Sequence, residues 1–381
     1  METVTTRGTE PQTEGVLYLA LELGAKDWKL GFTIGRGQRP RVRSIAAGAL
    51  DRLWEEIRQA KVRLGLSEAA PVRSAYEAGR DGFWIDRALR AAGVANLVLD
   101  SASILVDRRS RRAKSDGLDV VALVDVLLRY HAGERRACRV VRVPSVEAED
   151  ERQAQRELEE LKRERTALTN RIKGLLATQG VRLGGRGLTR GLHVEALRDW
   201  RGAPLGEGLR ARIVREVERL EMLKQQITAV EEARKAMLQS ERHERVAAVV
   251  RKMMRLRAIG PETAWTHAGE IFAWRKFENT RQVGALVGLA PTPYQSGGTH
   301  HEQGISKAGN RRVRGLAIEM AWSWVRYQPS SALTRWFHRR FGEAGPRGRK
   351  KGIVALARKL MIALWKYLER DELPEGALLK G

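Results

Sequence analysis

The sequence predicts an α/β domain on a mixed sheet, followed by two long helices and a mostly α-helical C-terminal part. Three features of the pattern carry this prediction. Between residues 16 and 131, three strand-like runs come first, and helices and strands then alternate. From 147 to 240, apolar residues recur at three- and four-residue intervals among Glu and Arg. Beyond 250, helical segments are punctuated by Gly and Pro turns.

Taken in order, residues 1–15 are polar and Thr/Glu-rich, and read as a loose tail. Residues 16–23 form a strong strand candidate with one charge, Glu22, and 28–34 form a second. A basic turn at 35–40 leads to a short third strand at 41–45. The helix at 50–64 carries Leu53, Trp54, Ile57 and Val62 on roughly one side. Strand 72–77 ends in Ala78-Gly79-Arg80-Asp81-Gly82, helix 83–92 stops at Gly93, and strand 94–99 follows. Helix 117–131 closes the unit.

Residues 147–179 read as one long amphipathic helix, through Leu158, Leu161, Leu168, Ile172 and Leu175, with Arg165 interrupting the seam. A Gly-rich basic break with Arg182, Arg186 and Arg190 separates it from a second long helix at 209–240, through Ile213, Val217, Leu220, Leu223, Ile227 and Val230. Such coiled-coil-like helices pair as an antiparallel hairpin or across a dimer. The last part opens on a helix, the tight turn Gly260-Pro261 and another helix, a helix-hairpin-helix-like start whose free N–H groups suit a phosphate. Helix 280–288, a Pro/Gly-rich loop at 291–299, helix 310–326, basic turns at 335–340 and 347–351, and an apolar helix at 353–367 complete it. Trp322, Trp324, Trp336 and Trp365 fit helix cores, and an exposed one could stack a base. The predicted divisions are 1–15 tail, 16–146 α/β domain, 147–249 long helices, 250–372 C-terminal domain and 373–381 tail.

The 381 residues carry 70 Lys and Arg against 46 Asp and Glu, a net charge of +24. With 43% hydrophobic residues the chain builds real cores. The excess is weighted to Arg, whose guanidinium fork matches phosphate, so DNA or RNA is the expected partner. No apolar run reaches membrane-spanning length and the N-terminus lacks a signal-peptide core, so no membrane role is expected. The single Cys138 excludes an internal disulfide and a cysteine-built zinc site. A reducing, cytoplasmic setting is the expectation.

Asp116 and Asp119 stand three residues apart at the head of an apolar helix, on one helical face. Adjacent carboxylates repel, and a hard cation relieves this, taking oxygens from one or two carboxylates and from phosphate. Arg108, Arg109, Arg111, Arg112 and Lys114 form a basic collar just upstream that would draw in a polyanion. The alternative is that Asp116 caps the helix and Asp119 sits in its first turn. Glu22 in its apolar strand and Glu77 at a strand end join the pair if their strands are central; each also fits a solvated position. Ser296 precedes Gly297 and Gly298, with Lys307, Arg311, Arg312 and Arg314 downstream as candidate phosphate contacts. It reads equally as a turn serine.

Three stretches resemble a known family: Lys114-Ser115-Asp116-Gly117-Leu118-Asp119, Asn170-Arg171-Ile172-Lys173-Gly174-Leu175-Leu176, and the run from Leu286 to Arg314. The last includes Gly288-Leu289-Ala290-Pro291, Gln295-Ser296-Gly297-Gly298 and Ile305-Ser306-Lys307-Ala308-Gly309-Asn310. From about Leu17 to Leu368 the chain resembles the DEDD-type transposases of bacterial insertion sequences. The resemblance implies an N-terminal RuvC-like (RNase H-like) domain and a C-terminal serine transposase domain. It implies a metal site of Glu22, Glu77, Asp116 and Asp119 holding Mg2+, with Mn2+ as a substitute, and Ser296 as the covalent nucleophile. Glu22 stands where the family usually has Asp. It further implies recombination of a mobile element in the bacterial cytoplasm on nucleoid DNA, a dimer or tetramer, and, as in some members, a structured guide RNA from the element. Two other readings remain open: a metal-dependent Holliday-junction-type endonuclease using water as nucleophile, and a non-catalytic nucleic-acid-binding protein.

Overall fold

The computed structural model describes residues 15–104, 116–183, 192–296 and 299–380. Contacts divide the chain into two compact units, Met1–Val143 and Pro144–Gly381.

The first unit runs β1 Leu17–Leu23, β2 Asp27–Thr33, β3 Arg41–Ala46, α1 Leu50–Arg63, β4 Val72–Glu77, α2 Trp84–Ala91, β5 Ala95–Leu99 and α3 Asp116–His131. Its five strands lie in the order β3-β2-β1-β4-β5. The first three are antiparallel, and β4 and β5 run parallel to β1. Residues alternate between the two faces of a strand, and β1 uses both. Leu17, Leu19 and Leu21 pack with Leu53 and Ile57 of α1 and Ile85 and Leu89 of α2. Ala20, with Ala75 of β4 and Leu99 of β5, packs on the opposite side with Val120, Leu123, Val124 and Leu127 of α3. Gly31 of β2 admits the helix here, since a Cβ there would lie 3.0 Å from Val124 and 3.2 Å from Val120. A polar chain braces the α2 side: Ser74 Oγ donates to Asn96 (2.7 Å), Asn96 Nδ2 donates to the buried Asp86 (2.8 Å), and Arg90 pairs with Asp86 (2.8 Å).

The second unit is mostly helical: α4 Val146–Asp150, α5 Gln153–Ala177, α6 Glu207–Met237, α7 Glu244–Met254, α8 Pro261–His267, α9 Thr280–Leu286, β6 Pro291–Ser296, β7 Thr299–Ile305, α10 Arg311–Tyr327, α11 Ala332–Phe341 and α12 Pro346–Arg370. A π-helical turn, Ala268–Phe272, extends α8. α5 and α6 are antiparallel, as the pairs Lys162–Glu231 (2.9 Å) and Arg171–Glu216 (3.2 Å) record. Leu168, Ile172 and Leu176 pack with Ile213 and Leu220, and Leu158 and Leu161 with Ile227, so α6 covers the apolar seam within the chain. The C-terminal core gathers Trp265, Trp324, Phe337, Leu360, Leu364 and Trp365.

Three expectations need correction. The helix expected over 147–179 is broken after Asp150, where Arg152 turns inward to Glu270 (3.8 Å) and over the Trp274 ring (5.5 Å). The loop expected at 291–299 is a β-hairpin, β6 with β7. Trp322, expected in a helix core, is exposed, whereas Trp324 and Trp365 are buried. Among the described residues no helix is long and apolar enough to cross a membrane.

His267 is fully buried; Nδ1 meets the Thr263 carbonyl at 2.7 Å and Nε2 has no hydrogen-bond partner. Burial pushes its pKa down to about 4. The folded chain therefore keeps this imidazole neutral while the unfolded chain protonates it below about pH 6.5. Stability is fully present above that pH and falls as pH drops toward 4, by on the order of 3 kcal/mol from this group. Urea midpoints should be lower at pH 5 than at pH 7, and His267→Leu should flatten that difference. Equal pH dependence in the variant would contradict this account of the buried imidazole.

Candidate active site

The sheet of the first unit puts two of the expected acids side by side. The parallel register between β1 and β4 runs to Leu21 opposite Tyr76, and the next residues on each strand are Glu22 and Glu77. Side chains alternate, so both fall on the α3 face, two residues beyond Ala20 and Ala75. Both are half-buried.

α3 runs against the direction of β1. His131 at its end stacks near Tyr18 at the strand start, with ring centroids 5.9 Å apart. Val120 and Val124 straddle Gly31, which pairs with Ala20. The first turn of α3 therefore lies toward the C-terminal ends of β1 and β4, and it carries half-buried Asp119. The backbone of Asp116 begins this helix, while its side chain lies outside the described residues, as do Arg108, Arg109, Arg111, Arg112 and Lys114. Among the described residues, no three His, Cys, Asp or Glu side chains are grouped closely enough to hold a metal ion. The residues at this edge of the sheet that could act as ligands are carboxylates, whose oxygens suit a hard cation. Asp100, half-buried just after β5, is a further acid at the same sheet edge that the sequence reading did not single out. Cys138 is buried and its thiol is pushed up by burial, as fits a packing residue rather than a nucleophile.

Ser296 ends β6 and stands opposite Thr299 across the tip of the hairpin. Its side chain lies outside the described residues, as do Gly297 and Gly298. The foot of the hairpin is tightly built. Ser306 N donates to the Ala290 carbonyl (2.8 Å), Lys307 N to Gly288 (3.1 Å), and an Arg314 guanidinium nitrogen to the Lys307 carbonyl (2.9 Å). Gly288 (φ +66°) and Gly309 (φ +105°) interlock here, and a Cβ on Gly309 would meet the Leu286 carbonyl oxygen at 2.0 Å. Gly309→Ala should therefore destabilise the unit by roughly 2 kcal/mol or more, through both the φ and the clash. A thermal melt unchanged from wild type would refute this.

Asn310 caps α10, its side chain accepting from the backbone N–H of Arg312 and Val313. Its Nδ2 also donates to Glu270 (3.1 Å). Glu270 is nearly buried; burial raises its pKa, but Arg156 at 2.8 Å and the charges of Arg152 and Arg312 outweigh this and hold it below the usual range. Arg312, expected as a nucleic-acid contact, pairs instead with Glu159 (2.6 Å). Arg314 is half-buried against backbone carbonyls, and Lys307 and Arg311 are exposed. The Gly260-Pro261 turn does start α8, yet Glu262 in that first turn pairs with Arg234 (3.0 Å) and Lys162 (3.1 Å), so a carboxylate already stands where a phosphate was expected. Nothing local in the sequence marks this Glu159–Glu262–Glu270 network; the fold shows it through the burial of Arg152 and Gln155, polar residues at the start of α5.

Residues 250–336, which contain Ser296, match the model of the transposase IS116/IS110/IS902 family. A Sinorhizobium fredii protein named as a transposase, y4rJ, is 44% identical over 96% of this chain and 95% of its own length. A Pseudomonas aeruginosa protein named as a family 20 transposase is 29% identical over 83% of the chain and 89% of its own length. The transposase for insertion sequence element IS1111A of Coxiella burnetii is 28% identical over 68% of each. With near full-length similarity to one such relative and the family's own segment spanning the serine hairpin, this chain belongs to the IS116/IS110/IS902 family of insertion-sequence transposases.

Proposed function

We propose that this transposase cuts and rejoins DNA with a RuvC-like acidic site and a covalent serine. The observation that carries the first half is the β1/β4 register, which sets Glu22 beside Glu77 on the face where the first turn of α3 brings Asp119. Three antiparallel strands followed by two parallel ones support the RuvC-like reading of the sheet. Glu22, Glu77, Asp119 and Asp116 would hold Mg2+, or Mn2+ in its place. Bound there, the ion would neutralise charge on the scissile phosphate.

Ser296 supplies the nucleophile in this reading. Its Oγ attacks the phosphorus, a DNA hydroxyl end leaves, and the Oγ proton passes to solvent or to the leaving oxygen. A hairpin tip beside two glycines allows close approach to a backbone phosphate. Lys307 and Arg311, both exposed at the foot of the hairpin, are available to other backbone phosphates of the same strand. A structured RNA from the element would select the DNA partners, and two or more copies of the chain would act together.

The test is strand cleavage of a plasmid bearing the element's ends. Cleavage should require Mg2+ and stop with EDTA, and Mn2+ should restore it. Equal cleavage in EDTA would refute the metal site. No cleavage under any divalent ion, with DNA binding intact, would favour a purely binding role.

A further inference from the structure

A groove of about 960 Å³ lies at the foot of the β6/β7 hairpin, where β7 and the α9–β6 turn meet α11 and α12. Its floor is apolar, formed by Ile305, Trp336, Val354 and Ile362. Five cations line it: Lys307, Lys350, Lys351, Arg358 and Lys359. No carboxylate does so among the described residues, and none of the five has an ion-pair partner there. Lys359 sits 4.8 Å from the Trp336 ring centroid. Arg358 is half-buried, and its Nε is buried with no hydrogen-bond partner. Gly284 leaves the room it occupies, since a Cβ there would stand 2.9 Å from that nitrogen. The first turn of α12, which precedes Lys350 and Lys351, carries no acid to balance them.

Uncompensated like charges around an apolar floor lower folding stability, and a polyanion relieves them. The floor narrows the class further. A duplex offers phosphates while keeping its bases stacked inside, so it would meet the rim alone. An unpaired strand offers base faces as well, which apolar and aromatic side chains bind without regard to sequence.

We propose that this groove seats unpaired nucleotides of a polynucleotide, with bases against Trp336, Val354 and Ile362 and phosphates on the lysine rim. The proposal rests on the reading of the chain as a nucleic-acid-processing transposase, and it gives the strand leading to or from the Ser296 hairpin a place to lie. DNA and RNA share the chemistry named here.

The test is fluorescence polarisation on the full chain, using one labelled sequence as unpaired DNA, unpaired RNA and DNA duplex. Lys351→Ala with Lys359→Ala removes two exposed rim charges, and Ala355→Glu puts an acid into the groove at an exposed position. Each variant should weaken binding of at least one unpaired probe about tenfold and duplex binding less than about threefold. The double-lysine variant should also lower the salt slope for that probe by about 1.4, or 0.7 for each lost phosphate contact. The arm that loses affinity identifies DNA or RNA as the occupant. Should Ala355→Glu fail to fold by its thermal melt, the double-lysine variant decides alone. Unchanged binding of both unpaired probes, or equal losses for unpaired and duplex probes, would overturn the proposal. So would polyglutamate of equal charge competing as well as the oligonucleotide. Ser296→Ala is expected to bind all three probes as wild type does. An absent covalent adduct with groove binding intact would therefore overturn only the serine chemistry, and the reverse pattern only the groove.

Discussion

Asp119→Asn is expected to reduce Mg2+-dependent strand cleavage at least about 100-fold, the scale of losing one charge-stabilising group at a reacting centre. The substitution keeps the size of the side chain and its place in the first turn of α3, and removes only the negative charge. DNA binding at low salt should stay equal or tighten, because a carboxylate that repelled phosphate is gone. The sheet explains why this acid is the informative one. Glu22 and Glu77 are fixed by strand register, whereas Asp119 reaches the same face from a helix that Gly31 allows to pack closely. Glu22→Asp should retain activity, since a shorter carboxylate still supplies oxygen ligands, and Glu22→Ala should lose it. Direct titration with Mn2+ should give weaker binding in Asp119→Asn than in wild type. Full cleavage by Asp119→Asn, or unaltered Mn2+ affinity, would remove Asp119 from the site.

The first unit was largely legible because its strands are short apolar runs between Gly-containing turns. All five strands and three helices of the observed sheet unit correspond to segments read from pattern, within a residue or two at their ends. The pairing was not legible. That Glu22 and Glu77 become neighbours depends on β4 adding in parallel beside β1, a long-range choice that no local pattern encodes. Periodicity also revealed the α5/α6 seam, but not which helix covers it. The hairpin bearing Ser296 was missed because Pro291 and Pro293 argue against a strand, and the His, Glu and Gln of β7 show no apolar alternation. Arg312 illustrates a different limit. A cation in a basic run reads as a phosphate contact, yet its partner Glu159 lies 153 residues away and only the fold brings them together.

A covalent protein–DNA adduct is the second large effect expected. A serine hydroxyl is a weak nucleophile at neutral pH and needs a neighbouring base, a metal or a cationic site that stabilises the phosphoryl transition state. Gly288, Gly309 and Asn310 build the foot on which the hairpin stands, with Lys307 and Arg311 exposed beside it and Ser296 at the opposite end, so any group that activates the hydroxyl has to be brought to the tip. Ser296→Ala removes the Oγ alone and should leave DNA binding within about twofold of wild type, as surface changes away from packed features usually do. The decisive measurement is mass spectrometry after denaturation of a reaction containing DNA with a single labelled phosphate at the cleavage position. In the wild-type chain the label should be attached to the peptide containing Ser296, and Ser296→Ala should give no adduct. Cleavage at the normal rate by Ser296→Ala, with no labelled peptide from either chain, would contradict this expectation and leave attack by water as the mechanism.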